Sequence, residues 1–305
     1  MAQNLNPQQQ AALKYIDGPL LVLAGAGSGK TSVITQKIAY LVEDCGIPAR
    51  NIAAVTFTNK AAREMKARVS SLLGKEDGKG LTVSTFHNLG LTIIRTEIKA
   101  LGFKPGFSIL DQEDCRNLIK ELLVRHTELD EKLIDTAQNT ISNWKNSLLE
   151  PGQVVSAANS TGEQGIAMLY ERYQRALKAY NAVDFDDLIM TPVLLFRQQP
   201  EILAKWQRRI RYLLVDEYQD TNLAQYELVK TLVNDKQALT VVGDDDQSIY
   251  AWRGARPENL MQLQEDFPSL NIIKLEQNYR STGRILKAAN TLIDNNPHLI
   301  SKALW

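Results

Sequence analysis

A chain of 305 residues is long enough for one large domain or for two to three smaller ones with hydrophobic cores. Lysine and arginine together number 35, as do aspartate and glutamate together, so the formal net charge is zero. This balance argues against a wholly basic nucleic-acid binder but permits a local basic groove. Cys45 and Cys115 fit neither a disulfide framework nor a zinc site, and no apolar run predicts a membrane span. We expect a cytoplasmic protein without a membrane partner.

Short apolar segments bounded by polar or turn residues recur along the chain. They predict buried strands at 19–25, 51–57, 81–86, 211–217, 238–244 and 271–277. Helical patterns lie between most of them, for example KTSVITQKIAYLVEDCG after the first strand. This alternation predicts a doubly wound α/β fold with a parallel sheet.

A long segment of mostly helical pattern, 88–200, interrupts the alternation. Within it, apolar and aromatic residues recur at helical spacing: Ile166, Leu169, Tyr170, Tyr173, Leu177 and Tyr180. Such a stripe predicts core packing, with a binding face as the alternative. We predict that 88–200 forms a helical subdomain inserted between two strands of one sheet.

A phosphate-binding loop follows the first predicted strand. It comprises Ala24, Gly25, Ala26, Gly27, Ser28, Gly29, Lys30 and Thr31. Glycines at a helix start let backbone N–H groups cradle an anion, and Ala24 replaces the first glycine of the strict motif. Lys30 would then reach the β- and γ-phosphates, and the Thr31 hydroxyl would ligate Mg²⁺. The alternative is a glycine-rich turn with an incidental Gly-Lys-Thr.

An acidic pair supplies the second element that such a loop needs. In LLVDEYQD, an apolar strand ends in Asp216 and Glu217. Asp216 would hold the magnesium ion, and Glu217 would activate the attacking water. A pair of exposed acids at a strand end is the alternative. A guanine-binding Asn-Lys-x-Asp motif is absent from the sequence, which favours ATP over GTP.

Two further segments indicate contact with nucleic acid. Residues 50–68 contain five basic residues and one acid, which suits DNA phosphates or, alternatively, a solvated helix face. In GDDDQSIYAWRG (243–254), acids and a glutamine suit a metal or a phosphate, whereas the following aromatics and arginine suit a nucleobase. We predict no metal-binding role for the three aspartates, which help to order a turn.

Eight segments together resemble one family. In chain order they are QNLNPQQQAA, AGAGSGKT, AVTFTNKAAREM, VSTFHNLG, DFDDL, LLVDEYQDTN, VVGDDDQSIYAWRGA and LEQNYRS. They are similar to the ordered motifs of superfamily 1 DNA helicases of the UvrD/Rep/PcrA type, with most likeness to the Rep members. The resemblance covers essentially the whole chain.

The resemblance implies a RecA-like P-loop NTPase sheet with an inserted helical subdomain. Residues 1–87 and 201–277 would form a discontinuous ATPase core, 88–200 the insert, and 278–305 the start of a second core domain that the chain does not complete. It implies an ATP-dependent, 3′ to 5′ DNA helicase or translocase used in DNA replication or repair. This chain would be the ATPase half, and we expect little or no unwinding by it alone.

The resemblance also assigns roles to single residues. Gln9 would recognise adenine, Tyr279 would stack on it, Gln247 would sense the γ-phosphate, and Arg280 would act as an arginine finger. The DNA contacts would be Phe57, Thr58, Asn59, Thr85, Phe86, His87, Phe185, Tyr250, Trp252 and Arg253. Ser32 stands where the family has an arginine against adenine, so this side of the base site departs from the family pattern.

The implied cofactors are ATP and Mg²⁺. The implied partners are single-stranded DNA, junctions of single- and double-stranded DNA, replisome proteins and other copies of the chain. A non-catalytic module that binds nucleotide or single-stranded DNA is a second hypothesis. A phosphate-loop kinase or transferase is a third, but it gives no account of 243–254.

Overall fold

The computed structural model describes residues 5–74, 76–124, 131–296 and 302–305. Within them the helices are α1 (Pro7–Lys14), α2 (Lys30–Glu43), α3 (Asn59–Leu72), α4 (Phe86–Thr96), α5 (Gln112–Val124), α6 (Glu131–Asn146), α7 (Pro151–Ala157), α8 (Thr161–Ala179), α9 (Asp187–Gln198), α10 (Pro200–Arg209), α11 (Leu223–Leu232), α12 (Asn259–Asp266) and α13 (Gly283–Ile293). The strands are β1 (Leu20–Ala24), β2 (Ile52–Thr56), β3 (Thr82–Thr85), β4 (Ser108–Leu110), β5 (Ala182–Asp184), β6 (Tyr212–Val215), β7 (Leu239–Gly243) and β8 (Asn271–Leu275). Across these described ranges, no helix has the length and apolar character of a bilayer span.

Six of the described strands form one sheet in the order β3-β2-β6-β7-β1-β8, and all neighbouring strands run parallel. They are the six segments that the sequence predicts as strands, so the predicted parallel α/β sheet is confirmed. Every residue of β1, β2, β6 and β7 is buried, as expected for strands covered on both faces. The carboxyl ends of all six lie at one edge, where ligands of such sheets bind.

The core beside β1 fixes the start of α2. Val33, Ile34 and Ile38 of α2 are buried in the same apolar cluster as Leu20 and Val22 of β1. Each such side chain stabilises the fold by about 1.5–3 kcal/mol when it is fully buried. The turn between β1 and α2 is therefore held at both ends by packed apolar side chains.

The chain divides into two compact units. The first comprises residues 1–86, 200–222 and 229–305, and it contains the six-stranded sheet. The second comprises 87–199 and 223–228 and is mainly helical, apart from a short parallel pair of strands, β4 and β5. Each of these two strands has three residues, too few to show a clear pattern in the sequence.

The helical stripe of α8 packs into the core of the second unit. Leu169, Tyr170, Tyr173 and Leu177 are buried in one cluster with residues of α5 and α6, so core packing is the correct interpretation. Tyr180 differs, because it follows the end of α8 and is 59% exposed.

A buried ion-pair cluster joins α6 to the end of β5 and the start of α9. The Lys145 ammonium lies 2.7 Å from an Asp184 carboxylate oxygen and 2.8 Å from one of Asp187, and its side chain is fully buried. Tyr173 donates a further hydrogen bond to Asp184 at 2.9 Å. The two aspartates flank Phe185, so the cluster fixes the backbone that carries this exposed aromatic residue.

Candidate nucleotide site and nucleic-acid face

The glycine-rich loop joins the end of β1 to the start of α2. Gly27 and Gly29 have positive φ values of 74° and 91°, which glycine adopts readily and other residues do not. A Cβ on Gly29 would lie 2.6 Å from Nε2 of Gln9. Ser28 is fully buried, and its hydroxyl donates a hydrogen bond to the Gly25 carbonyl at 2.7 Å. The loop is thus a closed backbone cradle of the kind that binds phosphate.

A cavity of about 570 Å³ opens beside this loop, a volume that suits a nucleotide. Most of the predicted nucleotide residues line it: Gln9, Ala26, Gly27, Gly29, Lys30, Thr31, Glu217, Gln247, Tyr279 and Arg280. Ala24, Gly25, Ser28 and Asp216 do not, because they lie at strand ends or within the turn. Ser32 and Arg68 line the same cavity. Residues separated by up to about 270 positions therefore meet around one space.

Gln9 is held firmly at the wall of the cavity. Its side chain accepts a hydrogen bond from the Asn6 backbone and donates one to the Ser28 carbonyl at 2.9 Å. The far end of α1 is fixed by Lys37 of α2, whose buried ammonium donates to the carbonyls of Ala12 and Tyr15 at 2.8 and 2.5 Å. Helix α1 is thereby tied to α2, which follows the glycine-rich loop.

Lys30 and Glu217 both line the cavity and form an ion pair. Their charged groups are 3.2 Å apart, with the lysine side chain 10% and the glutamate side chain 36% exposed. Glu217 has a positive φ of 52°, a strained conformation for a non-glycine residue that is concentrated at functional sites. Gln219 donates a 2.9 Å hydrogen bond to the same carboxylate and accepts one from the Asp244 backbone at 3.0 Å. The turn after β6 is therefore hydrogen-bonded to the residue that follows β7.

Asp216 directly follows β6. Burial, together with the neighbouring charge of Glu217, raises the pKa of its carboxyl to about 7, although Lys30 acts in the opposite direction. A buried carboxylate that is costly to ionise is stabilised by a cation, and carboxylate and hydroxyl oxygens are ligands that Mg²⁺ prefers. Asp216 and the Thr31 hydroxyl fit this requirement.

Gln247 ends a short helical turn that follows β7. Its side-chain amide donates a hydrogen bond to the Asp244 carboxylate, which also accepts a bond from the Asp246 backbone at 3.3 Å. The acidic cluster thus orders the turn, as the sequence predicts. The cluster also surrounds the ammonium of Lys302.

The segment that carries Tyr279 lies across the phosphate loop. The Asn278 side chain donates to the Ala26 carbonyl at 2.5 Å, and the Tyr279 backbone donates to the Gly27 carbonyl at 2.9 Å. The Tyr279 hydroxyl accepts a hydrogen bond from Asn6 at 2.9 Å, while 57% of the residue is exposed. Its ring is therefore anchored at the hydroxyl and largely accessible.

The predicted DNA residues of the first unit differ sharply in exposure. Phe57 is half-buried and packs edge-to-face against Phe86 at a centroid distance of 5.3 Å. Thr85 ends β3 and Phe86 starts α4, and both lie inside the core, with exposed fractions of 5% and 1%. In this structure Phe86 supports Phe57 from behind and presents no free face to a base. Thr58 accepts a hydrogen bond from the Ala61 backbone and caps α3.

Exposed aromatic residues also follow the acidic cluster. Tyr250 is 38% and Trp252 74% exposed, with ring centroids 6.4 Å apart. The side chain of Arg253 lies outside the described part of the chain. Asn59 at the start of α3 is exposed as well.

In the second unit, Phe185 is 50% exposed and contacts His87 edge-on, with centroids 6.0 Å apart. Burial lowers the pKa of His87, which favours its neutral form. A neutral, half-buried imidazole against an aromatic ring positions that ring and adds no charge.

The basic side chains of residues 50–68 are all exposed. Ala62, Met65 and Val69 form the buried face of α3, and the charges lie on its other faces. Arg68 is the member that lines the nucleotide cavity.

Three residues with clear structural roles carry no signal that sequence reasoning used: Gln219, Asn278 and Lys302. Gln219 and Asn278 stand inside the quoted motifs LLVDEYQDTN and LEQNYRS, so their position could have marked them. Nothing local marks Lys302, which contacts residues 56 to 58 positions earlier.

Comparison with known proteins agrees with this geometry. A family model described as the UvrD/REP helicase N-terminal domain matches residues 5–268. The chain therefore belongs to the UvrD/Rep helicase family, and its parallel sheet is that of a RecA-like helicase domain.

Two relatives show which members of the family the chain resembles. The chain is 58% identical to the ATP-dependent DNA helicase Rep of Escherichia coli (strain K12) over 301 residues, which are 99% of this chain and 45% of the relative. It is 49% identical to the ATP-dependent DNA helicase PcrA of Bacillus subtilis (strain 168) over 307 residues, 100% of this chain and 41% of the relative. The chain spans less than half the length of these relatives. The higher identity to Rep agrees with the sequence prediction.

Proposed function

We propose that this chain is the ATP-binding and hydrolysing half of a DNA helicase or translocase that acts in replication or repair. One observation carries the proposal: a single cavity gathers residues suited to adenine, to phosphates and to their hydrolysis from five separate motifs. Exposed aromatic rings on the segment that leaves this cavity supply a surface for bases. The substrate classes are therefore ATP with Mg²⁺ and single-stranded DNA.

The residues around the base and the phosphates have distinct tasks. Gln9 presents its amide to the edge of adenine, and the exposed ring of Tyr279 stacks on its face. The phosphate-loop N–H groups and Lys30 hold the β- and γ-phosphates. Thr31 and Asp216 would hold Mg²⁺, which neutralises phosphate charge when bound.

Hydrolysis needs a base and a means of stabilising the transferred phosphoryl group. Glu217 accepts a proton from the attacking water, and Gln247 contacts the γ-phosphate. Arg280 lines the cavity and stabilises the negative charge that develops there. Lys30 and Glu217, paired at 3.2 Å, exchange this ion pair for contacts with phosphate and water.

Single-stranded DNA is bound through stacking and backbone contacts. Phe57, Phe185, Tyr250 and Trp252 offer exposed or partly exposed rings, and each base that stacks contributes roughly 1–3 kcal/mol whatever its identity. This tolerance suits a motor that steps along any sequence. Movement from 3′ to 5′ and action at junctions are proposed from family membership.

The proposed domain organisation follows the same reasoning. Residues 1–87 and 201–277 form the ATPase core, 88–200 the inserted helical subdomain, and 278–305 begin a second core domain. Other copies of the chain and replisome proteins are proposed partners, and the cytoplasm is the proposed location.

The proposal is tested by binding and hydrolysis of ATP by this chain. We expect that a fluorescent ATP analogue binds in the presence of Mg²⁺, and that single-stranded DNA stimulates hydrolysis. Lys30→Ala should abolish both, whereas Lys236→Ala, at an exposed lysine away from the cavity, should leave both intact. Unchanged hydrolysis in Lys30→Ala would refute the proposal.

A non-catalytic module that binds nucleotide and DNA is the second candidate. The observation that favours it is that the Glu217 carboxylate is already bonded to both Lys30 and Gln219, and these bonds compete with contact to an attacking water. Glu217→Gln distinguishes the two functions. If the chain is an ATPase, this substitution stops hydrolysis and preserves the effect of ATP on DNA affinity. If the chain is a passive module, ATP does not change the DNA affinity of either the wild type or the variant.

A further inference from the structure

Lys302 provides the counter-charge for the three aspartates before Gln247. Its Nζ lies 2.7 Å from carboxylate oxygens of both Asp244 and Asp245 and 2.6 Å from one of Asp246. The lysine side chain is 3% exposed, so these contacts are shielded from water. An ammonium group has three N–H donors, and the three carboxylates satisfy all of them.

Asp244 connects this lysine to the proposed hydrolytic residues. One of its carboxylate oxygens contacts Lys302, and the other accepts the hydrogen bond from the Gln247 amide. Its backbone N–H donates to Gln219, which in turn donates to Glu217 at 2.9 Å. Two hydrogen-bonded routes therefore run from Lys302 to the two side chains proposed to act at the γ-phosphate.

The segment that carries Lys302 is fixed against the phosphate loop. The Trp305 backbone donates to the Glu276 carbonyl at 3.0 Å, and the Trp305 carbonyl accepts from the Asn278 backbone at 2.8 Å. Leu304 packs so closely on Gly25 that a Cβ added there would lie 2.3 Å from Leu304 Cδ2. The lysine is thus anchored by backbone pairing and packing that do not depend on its charge.

Without a cation, this arrangement would not persist. One carboxylate oxygen from each aspartate lies within 4.8 Å of the others, and three negative charges at such distances repel strongly in a buried place. Burial opposes the charge of Lys302, but its hydrogen bonds to the carboxylates outweigh this effect and raise the pKa of the lysine. The ammonium stays charged and holds the cluster closed.

We propose that Lys302 is a positioning residue for γ-phosphate recognition, which holds Gln247 toward the nucleotide cavity through Asp244. This inference rests on the proposed ATP-binding function and extends it to a residue outside the cavity. Lys302 does not line the cavity itself, so it acts there through Asp244, which is bonded to Gln247 and, by way of Gln219, to Glu217; both of these side chains are proposed to act at the γ-phosphate.

The test compares binding of a non-hydrolysable ATP analogue and of ADP by the 305-residue chain. Lys302→Met should lower the preference for the triphosphate about tenfold, which is the size expected for one hydrogen bond to a charged group, and should change ADP affinity less than about twofold. Lys302→Arg should retain the preference, and Lys287→Met, at an exposed lysine of α13, should not alter it. An unchanged preference in Lys302→Met would overturn the inference.

A second measurement needs no nucleotide. In Lys302→Met the three carboxylates lack their cation, so CaCl₂ should raise its thermal midpoint but not that of the wild type or of Lys302→Arg. Asp245→Asn in the Lys302→Met background should reduce this shift. The absence of any calcium shift in Lys302→Met would count against the inference. Failure of the wild-type chain to bind ADP would instead refute the proposed function, and the calcium measurement would still decide whether Lys302 neutralises the three aspartates.

Discussion

Asp216 offers a quantitative test of the proposed metal site, because its ionised form is costly in the folded protein. Burial and Glu217 raise its pKa from 3.8 to about 7. Above pH 7 the Asp216 carboxyl is ionised in both states, but ionisation costs free energy only in the folded state, so the folded state is destabilised relative to the unfolded state. As the pH falls from 7 towards 4, the folded state takes up a proton that the unfolded state lacks, and the cost disappears.

The size of this cost follows from the shift. A rise of about three pKa units at about 1.4 kcal/mol per unit sets a ceiling of about 4 kcal/mol. Asp216→Asn removes the charge and keeps an oxygen that can accept the 3.0 Å hydrogen bond from the Glu217 backbone. We therefore expect this variant to be more stable than the wild type by about 2–4 kcal/mol at pH 8, and by much less at pH 5.

The assay is urea denaturation in EDTA at pH 8 and pH 5. Asp235→Asn, at an exposed carboxylate, is the control and should show no comparable pH-dependent gain. With Mg²⁺ and ATP present, the order should reverse, because the wild type gains a bound ligand that the variant holds poorly. A variant that is no more stable than the wild type at pH 8, or equally stabilised at both pH values, would refute the reasoning.

Three further variants test other parts of the molecule. Burial lowers the pKa of Lys37 to about 7, so the folded wild type loses a proton that the unfolded chain keeps, and its free energy of unfolding should rise from pH 7 to pH 9. Urea denaturation should show a smaller rise for Lys37→Met and an unchanged rise for the control Lys14→Met. A rise in Lys37→Met equal to that of the wild type would contradict this. Lys145→Met leaves two buried carboxylates unpaired and should lower the free energy of unfolding by about 3–5 kcal/mol; a loss below about 1 kcal/mol would show that the cluster is not structural. Trp252→Ala should weaken oligonucleotide binding by about 1–3 kcal/mol in a fluorescence titration and leave ADP affinity unchanged. Met261→Ala removes another exposed apolar side chain and is the control; if it weakened binding equally, specific stacking on Trp252 would be ruled out.

The sheet and the phosphate loop could be predicted from sequence because their signals are local. The strand LLVLA is fully buried, so each of its positions must be apolar whatever its partner strand is. The loop needs positive φ at Gly27 and Gly29, and this requirement is written into the residue type itself.

Other features could not be predicted, because they depend on contacts between distant segments. Phe86 follows a strand end as Phe57 does, yet it is buried and Phe57 is partly exposed, a difference set by packing around α4. The pairing of Lys302 with the acidic cluster spans more than 50 residues and has no periodicity. Gln219 could be found inside a motif, but its bond to Asp244 arises only because β6 and β7 are adjacent.

The strand order places the loop after β7 where it could link the proposed hydrolytic residues to the proposed DNA surface. β7 lies between β6 and β1, so its carboxyl end emerges between the acidic pair and the phosphate loop. Gln247 stands at the cavity, and five residues further on Trp252 is exposed. We predict that a change at Gln247 on loss of the γ-phosphate moves this aromatic segment and alters DNA affinity. Gln247→Ala should therefore abolish both hydrolysis and the effect of nucleotide on oligonucleotide affinity. If hydrolysis were lost and that effect remained, the link between the γ-phosphate and the aromatic segment would have to run through another part of the chain.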